Sequence, residues 1–283
     1  MPDRRNDADA LLDLAVDIAH EAGAVLRSYF GRDDLEVDTK TTATDPVSAA
    51  DRATERLISE RLQSARPSDG LMGEERAGDR PGSSGLRWVV DPLDGTVNFL
   101  YGIPLWSVSI AVEDDAGPLA GVVYDPTRDE TFAAQRGQGA WLDGAPLHIA
   151  PTDRIGDALI ATGYAYDAAV RLDQERMFTD VIAEIRDVRR FGSAALDLSW
   201  LAAGRWDGWV EFTVRRWDWC AGSLIVAEAG GALARWELEL GGAPQDGMTA
   251  GSRLVHDYLA DWLRRSGARE VSFALPDQAV RAG

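Results

Sequence analysis

The sequence of 283 residues predicts a mixed α/β fold, and three observations support that prediction. Apolar residues recur at spacings of three and four between about Asp9 and Phe30, which is typical of an amphipathic helix. The first half then contains a series of strand patterns separated by turn signals. In the second half, strand and helix patterns alternate, as they do in α/β proteins. We expect one large layered domain or two closely packed halves.

In the first half we predict two helices followed by a meandering sheet. The first helix stops at Gly31, and the second covers about Ser48 to Ala65, which places Asp51 in its first turn. The polar residues 36–47 predict a loop or an irregular strand, and residues 72–75 are assigned to a loop. Turn signals favour a largely antiparallel sheet, whose strands are predicted at 86–91, 105–112, 119–124 and 130–134.

In the second half the predicted strands lie at 158–162, 188–191 and 208–212. The helices that alternate with them are predicted near 169–186, 193–203, 218–229 and 252–265. We divide the chain into an N-terminal half (1–147), a C-terminal half (148–267) and a tail (268–283).

Composition restricts the classes of function. Hydrophobic residues make up 45% and charged residues 27% of the chain, which is typical of a globular protein. The formal net charge of -18 argues against a nucleic-acid partner, because binding to a phosphate backbone needs a basic face. The single cysteine excludes an internal disulfide and favours the cytoplasm. Without a signal-peptide pattern or a run of 18 apolar residues, we expect neither export nor a membrane partner.

The strongest local signal is D-P-L-D-G-T at residues 91–96. Asp91 closes an apolar strand, Pro92 fixes the turn, and Gly95 allows the chain to approach a ligand closely. If Thr96 opens a short helix, the amides of Gly95 and Thr96 form an anion-binding seat. For an arbitrary sequence of this type, the commoner interpretation is a turn with side-chain hydrogen bonds.

Two further acids favour a metal site over a simple turn. Glu74 and Asp218 also lie at the ends of predicted elements. Mg²⁺ prefers oxygen ligands and usually keeps positions for water and a substrate phosphate. Asp91, Asp94, Glu74 and Asp218 together therefore predict a site for divalent cations, to which the Leu93 carbonyl could contribute.

Other chemistries have little support in the sequence. His20, His148 and His256 are far apart, and neither a serine-esterase nor a P-loop pattern is present. Cys220 lies among apolar residues and is interpreted as a packing residue. The glycines of residues 136–144 match a nucleotide-binding motif only in part and favour a hairpin.

Taken in order, these motifs resemble the inositol monophosphatase family over about residues 10–265. The resemblance is carried by D-P-V-S-A-A-D (45–51), G-E-E (73–75), W-V-V-D-P-L-D-G-T (88–96), W-D-W-C-A-G (217–222) and E-A-G-G (228–231). It implies a layered αβαβα sandwich of the sugar phosphatase type, a homodimer, and a phosphomonoesterase that is dependent on Mg²⁺ and sensitive to lithium.

The resemblance also implies a set of ligands for two to three ions. Glu74, Asp91 and the Leu93 carbonyl would hold one Mg²⁺, and Asp91, Asp94 and Asp218 a second. Glu74 would also help to hold a third, weaker ion through water. Lys40 and Asp45 fall in what would be the mobile metal-site loop of the family, where the match is looser.

The implied catalytic residues are Glu74 and the pair Asp51 and Thr96, which would orient and activate the attacking water. The implied substrate contacts are Asp94, Gly95, Thr96, Gly192, Ser193, Ala194, Glu211 and Asp218. Among these, Glu211 has the family spacing for an acid that hydrogen-bonds a sugar or inositol hydroxyl.

We therefore expect a small phosphorylated polyol as substrate, inositol-1-phosphate first. Fructose 1,6-bisphosphate, histidinol phosphate and adenosine 3',5'-bisphosphate are alternatives, because relatives that share the metal residues act on them. Arg215 and Arg216 either contact a second anionic group or form a solvated or dimer-facing pair. A non-catalytic interaction protein of the same fold is the alternative from a different class.

Overall fold

The computed structural model describes residues 4–32, 37–39, 46–75 and 79–273. Lys40 and Asp45, assigned above to a metal-site loop, lie outside the described residues. The described helices are α1 (Arg4–Tyr29), α2 (Ala49–Ala65), α3 (Thr96–Leu100), α4 (Ala168–Phe178), α5 (Ala194–Ala202), α6 (Arg216–Glu228) and α7 (Arg253–Arg265). None of these helices has a stretch long and apolar enough to cross a membrane.

The described strands form a short pair and two large sheets. The pair is β1 (Val37–Thr39) and β2 (Pro46–Ser48). The seven-stranded sheet runs in chain order through β3 (Gly70–Gly73), β4 (Arg87–Asp94), β5 (Ser107–Asp114), β6 (Gly117–Asp125), β7 (Glu130–Gln135), β8 (Gly139–Leu142) and β9 (Ala145–Pro146). Only its β3–β4 pair is parallel.

The six-stranded sheet is mixed. Its strands are β10 (Leu159–Thr162), β11 (Asp187–Arg189), β12 (Gly208–Phe212), β13 (Ala232–Leu240), β14 (Ala243–Gly251) and β15 (Arg269–Val271). They lie in the order β11-β10-β12-β14-β13-β15. The two pairs made by β10 are parallel, whereas β14, β13 and β15 are joined in antiparallel fashion.

Helices and sheets alternate in five layers. Helices α1 and α2 pack on one face of the seven-stranded sheet around Ile18, Leu26 and Trp88. Helices α5 and α6 fill the space between the two sheets, with Leu198 and Leu224 buried there. Helices α4 and α7 cover the outer face of the six-stranded sheet. This arrangement confirms the predicted αβαβα sandwich.

Most predicted elements of the first half are confirmed, including the antiparallel meander. The residues predicted as a hairpin form β8 and the turn before it, and both oxygens of Glu228 accept hydrogen bonds there from the amides of Gly137 and Gly139 (2.7 and 2.9 Å). Glu228, at the end of α6, thus occupies the backbone amides to which a nucleotide phosphate would have to bind, which argues against a nucleotide site here. Residues 72–75, assigned to a loop, begin within β3.

In the second half, the helix predicted over 169–186 ends early, at Phe178. The chain continues in turns that bury Val181 and Ile185, because β-branched residues are poor helix formers and the core needs these two side chains. Strands β13 and β14 were missed, although burial alternates along β13 as expected for a strand with one face against the core. The first residues of the predicted tail form the edge strand β15.

Close packing of α5 on α6 generates a stability prediction for Gly222→Ala. A Cβ at Gly222 would lie 2.7 Å from the Cβ of Leu198, too close for an ordinary contact. Alanine inside a helix is normally favoured over glycine by up to ~1 kcal/mol. We expect overpacking to outweigh this gain, so that Gly222→Ala lowers the free energy of unfolding by ~1–3 kcal/mol in denaturant titrations.

Leu198→Ala removes the opposing side chain and is the matched control. In that background the cost of Gly222→Ala should fall markedly, which a double-mutant cycle measures. Greater stability of the single variant Gly222→Ala would contradict the packing argument.

Candidate functional site

A cleft of about 1050 Å³ opens where β4, β12, α3 and α6 meet. Ten of the twelve predicted site residues line it: Glu74, Asp91, Leu93, Asp94, Gly95, Thr96, Gly192, Ala194, Glu211 and Asp218. The other two, Asp51 and Ser193, contact residues of the lining through hydrogen bonds. The structure thus brings together residues that lie as far apart in sequence as Asp51 and Asp218.

A β-bulge places both acids of the D-P-L-D motif at the cleft. Opposite β5, Asp91 pairs with Ser109 and Asp94 with Ser107, so that β4 contains one extra residue between the two pairs. In a regular strand, residues three apart point to opposite faces of the sheet. The extra residue corrects this phase and turns Asp94 to the same side as Asp91. The Asp91 carboxylate accepts a hydrogen bond from the Leu93 amide (3.0 Å).

Helix α3 starts directly after the bulge. Its N-cap, Gly95, has φ 95°, and a Cβ there would lie 2.8 Å from the Leu105 carbonyl oxygen. Glycine is therefore required for both conformation and space. The Thr96 hydroxyl lies 3.2 Å from the Asp51 carboxylate and 3.1 Å from the Leu93 carbonyl oxygen. This hydroxyl links α2 to the end of β4, as the predicted Asp51–Thr96 pair requires.

Asp94 joins strand β4 to the start of helix α5. One of its oxygens accepts hydrogen bonds from the Ser193 hydroxyl (2.6 Å) and the Ala195 amide (2.7 Å) at the N-terminus of α5. Burial raises the pKa of Asp94 to about 6, although these hydrogen bonds favour the charged form. Ser193 is also the N-cap of α5, as the sequence predicted.

Asp91 is the centre of the acidic cluster. Burial raises its pKa well above the usual range, and the negative charges of Glu74, Asp94 and Asp218 raise it further. Asp218, from the first turn of α6, accepts a hydrogen bond from the Arg215 amide (2.6 Å). Burial, followed by the charge of Glu74, also raises the pKa of Asp218. Four acids therefore meet in one buried place, where their charges repel one another.

The chemistry of this cluster fits hard divalent cations, which bind to carboxylate and carbonyl oxygens. In this conformation the acidic side chains do not form a complete set of metal ligands. Among the described residues, no three Asp, Glu, His or Cys side chains are arranged to hold an ion. Oxygens of Asp94 and Asp218 point instead to donors of α5 and to the Arg215 amide. Small rotations of these side chains would be needed for coordination.

Glu211 reaches the cleft from β12. Burial raises its pKa to about 7, with a further contribution from the charge of Asp94, while Arg190 acts in the opposite direction. Arg190 also lines the cleft and was not predicted as a site residue. Asn98 was missed too: its side-chain amide donates to the Leu105 carbonyl (2.8 Å) and the Phe191 carbonyl (2.6 Å), which ties α3 to the segment before α5.

Asp197 is the most unusual residue that sequence reasoning missed. It lies in α5, is fully buried, and neither carboxyl oxygen has a hydrogen-bond partner among the residues that the structure describes. Burial raises its pKa well above the usual range, and the charges of Glu211 and Asp94 add to the effect. The feature of the sequence that could have identified Asp197 is an acid inside the largely apolar helix A-A-L-D-L-S-W-L-A.

Arg215 and Arg216 have different surroundings. The Arg216 guanidinium binds to the buried Glu113, whose other oxygen binds to Arg87, and it lies 4.2 Å from the ring centre of Trp219. Arg216 is therefore committed to a structural ion pair. Arg215 lines the cleft with an exposed side chain.

The residues interpreted as unreactive are consistent with that interpretation. Cys220 is buried in α6, and burial raises the pKa of its thiol to about 12, which suppresses the nucleophilic thiolate. His20 and His148 are exposed, and no histidine is among the residues that line the described cleft.

Comparison with known proteins identifies the family of this site. The model of the inositol monophosphatase family matches residues 7–267. The chain belongs to the inositol monophosphatase family. It is accordingly a phosphatase, a phosphoric monoester hydrolase.

Individual relatives agree with this membership. The chain is 40% identical to an inositol-1-monophosphatase of Rhizobium meliloti over 267 residues, which cover 93% of this chain and 97% of the relative. It is also 40% identical to the Nus factor SuhB of Pasteurella multocida over 225 residues, which cover 79% of this chain and 84% of that protein. The inositol monophosphatase structure from Anabaena superposes with a TM-score of 0.78 at 32% identity, covering 92% of this chain and 97% of that one.

The raised pKa of Asp197 generates a prediction for Asp197→Asn. An acid whose folded-state pKa is raised stabilises the fold fully below its unfolded pKa, and this contribution is lost as pH rises through the folded pKa. Asparagine has the same shape and does not ionise. We expect the stability of Asp197→Asn relative to wild type to increase between pH 4 and pH 8 in denaturant titrations.

Asp153→Asn, at an exposed position, controls for the change in net charge. A stability difference that stays constant over this pH range would show that Asp197 does not ionise differently in the folded state.

Proposed function

We propose that this protein is a Mg²⁺-dependent phosphomonoesterase that hydrolyses a small phosphorylated polyol, with inositol-1-phosphate as the first candidate. The observation that carries the proposal is the convergence of Glu74, Asp91, Asp94 and Asp218 in a cleft that also contains the Asp51–Thr96 pair. Mutually repelling carboxylates beside a helix start that lines the same cleft suit an anionic substrate that arrives with cations. The family relationship supports the same reaction type.

In this proposal, Glu74, Asp91 and the Leu93 carbonyl would hold one ion, and Asp91, Asp94 and Asp218 would hold a second. Glu74 assists a third through water. When bound, Mg²⁺ neutralises phosphate charge and makes water more acidic. Asp91 would be the shared ligand, because it lies close enough to all three of the other acids for their charges to interact.

The chain's own residues orient and deprotonate the attacking water. The Thr96 hydroxyl, 3.2 Å from Asp51, can donate to that carboxylate and accept from water with its remaining lone pair. Asp51 is fully buried and can take up the proton. Water oxygen attacks phosphorus in line, the bond from phosphorus to the polyol oxygen breaks, and that oxygen leaves with a proton from solvent.

Substrate recognition is assigned to both sides of the cleft. The amides near Gly95 and Thr96 are placed to contact the phosphate group. In this proposal the polyol is contacted by Gly192, Ser193, Ala194 and Glu211, with the Glu211 carboxylate as acceptor for a hydroxyl; three of these residues line the cleft, and Ser193 binds to the cleft residue Asp94. We also propose the homodimer, the cytoplasmic location and the inhibition by lithium that the family resemblance implies, and lithium chloride added to the turnover assay checks the last of these.

The main test is Asp94→Asn, assayed with inositol-1-phosphate in the presence and absence of Mg²⁺. The variant keeps the shape of the side chain and loses one carboxylate oxygen and its charge. We expect kcat/KM to fall by about a hundredfold or more and Mg²⁺ binding in calorimetry to weaken. Asp180→Asn, at an exposed position far from the cleft lining, is the control and should retain wild-type activity. Undiminished hydrolysis by Asp94→Asn would refute the proposed metal site.

The environments of the two arginines generate a prediction about substrate choice. We expect wild-type protein to prefer inositol-1-phosphate over fructose 1,6-bisphosphate, histidinol phosphate and adenosine 3',5'-bisphosphate. Arg215→Ala should leave this preference unchanged, and Arg216→Ala should lower stability because it leaves Glu113 with one arginine fewer. A preference for a bisphosphate that disappears in Arg215→Ala would instead assign the cleft to a doubly anionic substrate.

A further inference from the structure

Glu211 lies directly against the main chain of Gly163. Strands β10 and β12 are parallel neighbours, with Thr162 opposite Val210, so the residue after β10 lies beside Glu211. A Cβ at position 163 would lie 1.9 Å from Oε1, 2.1 Å from Cδ and 2.5 Å from Oε2 of Glu211. The whole carboxylate therefore occupies the space that any side chain at residue 163 would take.

The backbone conformation at residue 163 does not itself require a glycine. Gly163 is not among the residues with positive φ, so its backbone is open to any L-amino acid. The three nearest heavy atoms to the added Cβ all belong to Glu211. The steric requirement for glycine thus comes from the carboxylate of Glu211, which is the flexible end of a side chain rather than a rigid part of the fold.

The position of the Glu211 carboxylate matters, because charged groups surround it and its contact with a substrate depends on geometry. Arg190 attracts it, whereas Asp94 repels it, and the carboxyl of Asp197 is close enough for their charges to interact. A hydrogen bond to a substrate hydroxyl weakens steeply when its length or angle is wrong. Displacement by about an ångström would therefore remove the contact with a polyol.

We propose that Gly163 is a positioning residue for substrate selection, whose missing side chain seats the Glu211 carboxylate where it can accept a hydrogen bond from a polyol hydroxyl. This inference rests on the proposed function, because it needs Glu211 as a substrate contact. Gly163 acts through Glu211 and does not itself touch the reacting atoms.

The test is Gly163→Ala, assayed with two esters: inositol-1-phosphate, which offers hydroxyls to Glu211, and p-nitrophenyl phosphate, which offers none. We expect the ratio of kcat/KM for the first ester to that for the second to fall about tenfold or more, mainly through KM for inositol-1-phosphate. Gly156→Ala is the matched control, because the nearest atom to its added Cβ is 3.7 Å away and the substitution should leave both substrates unaffected.

A double-mutant cycle separates positioning from a general structural role. Glu211→Ala should lower the same ratio, and adding Gly163→Ala in that background should change it no further. An equal loss in both backgrounds, an unchanged ratio in the single variant, or a melting temperature lowered by more than a few degrees would each overturn the proposal.

Failure of the proposed function has a different signature. It would appear in the wild-type protein, as turnover of p-nitrophenyl phosphate without turnover of inositol-1-phosphate, or of neither ester with Mg²⁺. Either result would overturn the role of Gly163 as well, whereas failure of Gly163 alone leaves wild-type turnover of inositol-1-phosphate intact.

Discussion

The repulsion among four clustered carboxylates, two of them buried and two half-buried, is the constraint on which the rest of this structure depends. Asp91 lies at the centre, and each neighbouring charge makes its ionisation harder. Such a cluster destabilises the fold on its own, so the surrounding structure must hold it in place. The bulge in β4 and the start of α5 both position Asp94, the first turn of α6 positions Asp218, and the tightly packed central helix layer joins these parts.

The local chemistry of the site could be predicted from the sequence because its residues lie in short motifs at the ends of elements. The D-P-L-D-G-T segment contains the turn, the glycine and the helix start in six consecutive positions. The sequence could not show how Asp94 turns to the side of Asp91, because a bulge depends on the register of the neighbouring strand. It also did not separate Arg215 from Arg216, since the partner of Arg216 is Glu113, more than a hundred residues away.

The errors in the fold have similar causes. Helix α4 ends at Phe178 because the core needs side chains from the following turns, a tertiary demand that helix periodicity does not contain. Strand β13 could have been predicted from the sequence, because apolar and charged residues alternate from Ala234 to Leu240, and burial alternates with them. Asp197 could not be singled out from the helix pattern alone, because its exceptional features are its complete burial and the absence of a hydrogen-bond partner among the described residues.

The packing of α5 on α6 in the central helix layer determines the positions of residues in the cleft. Ser193 begins α5 and Asp218 lies in the first turn of α6, so the positions of both residues follow from how these two helices pack on each other. The helices approach closely at Gly222 and Leu198, which follow the cleft residues Asp218 and Ala194 by about one helical turn and do not line the cleft themselves. Helix packing therefore sets the spacing between Asp94, which binds to the start of α5, and Asp218, which α6 contributes. Natural variation at such buried contacts would tune ion affinity without altering a single residue of the cleft.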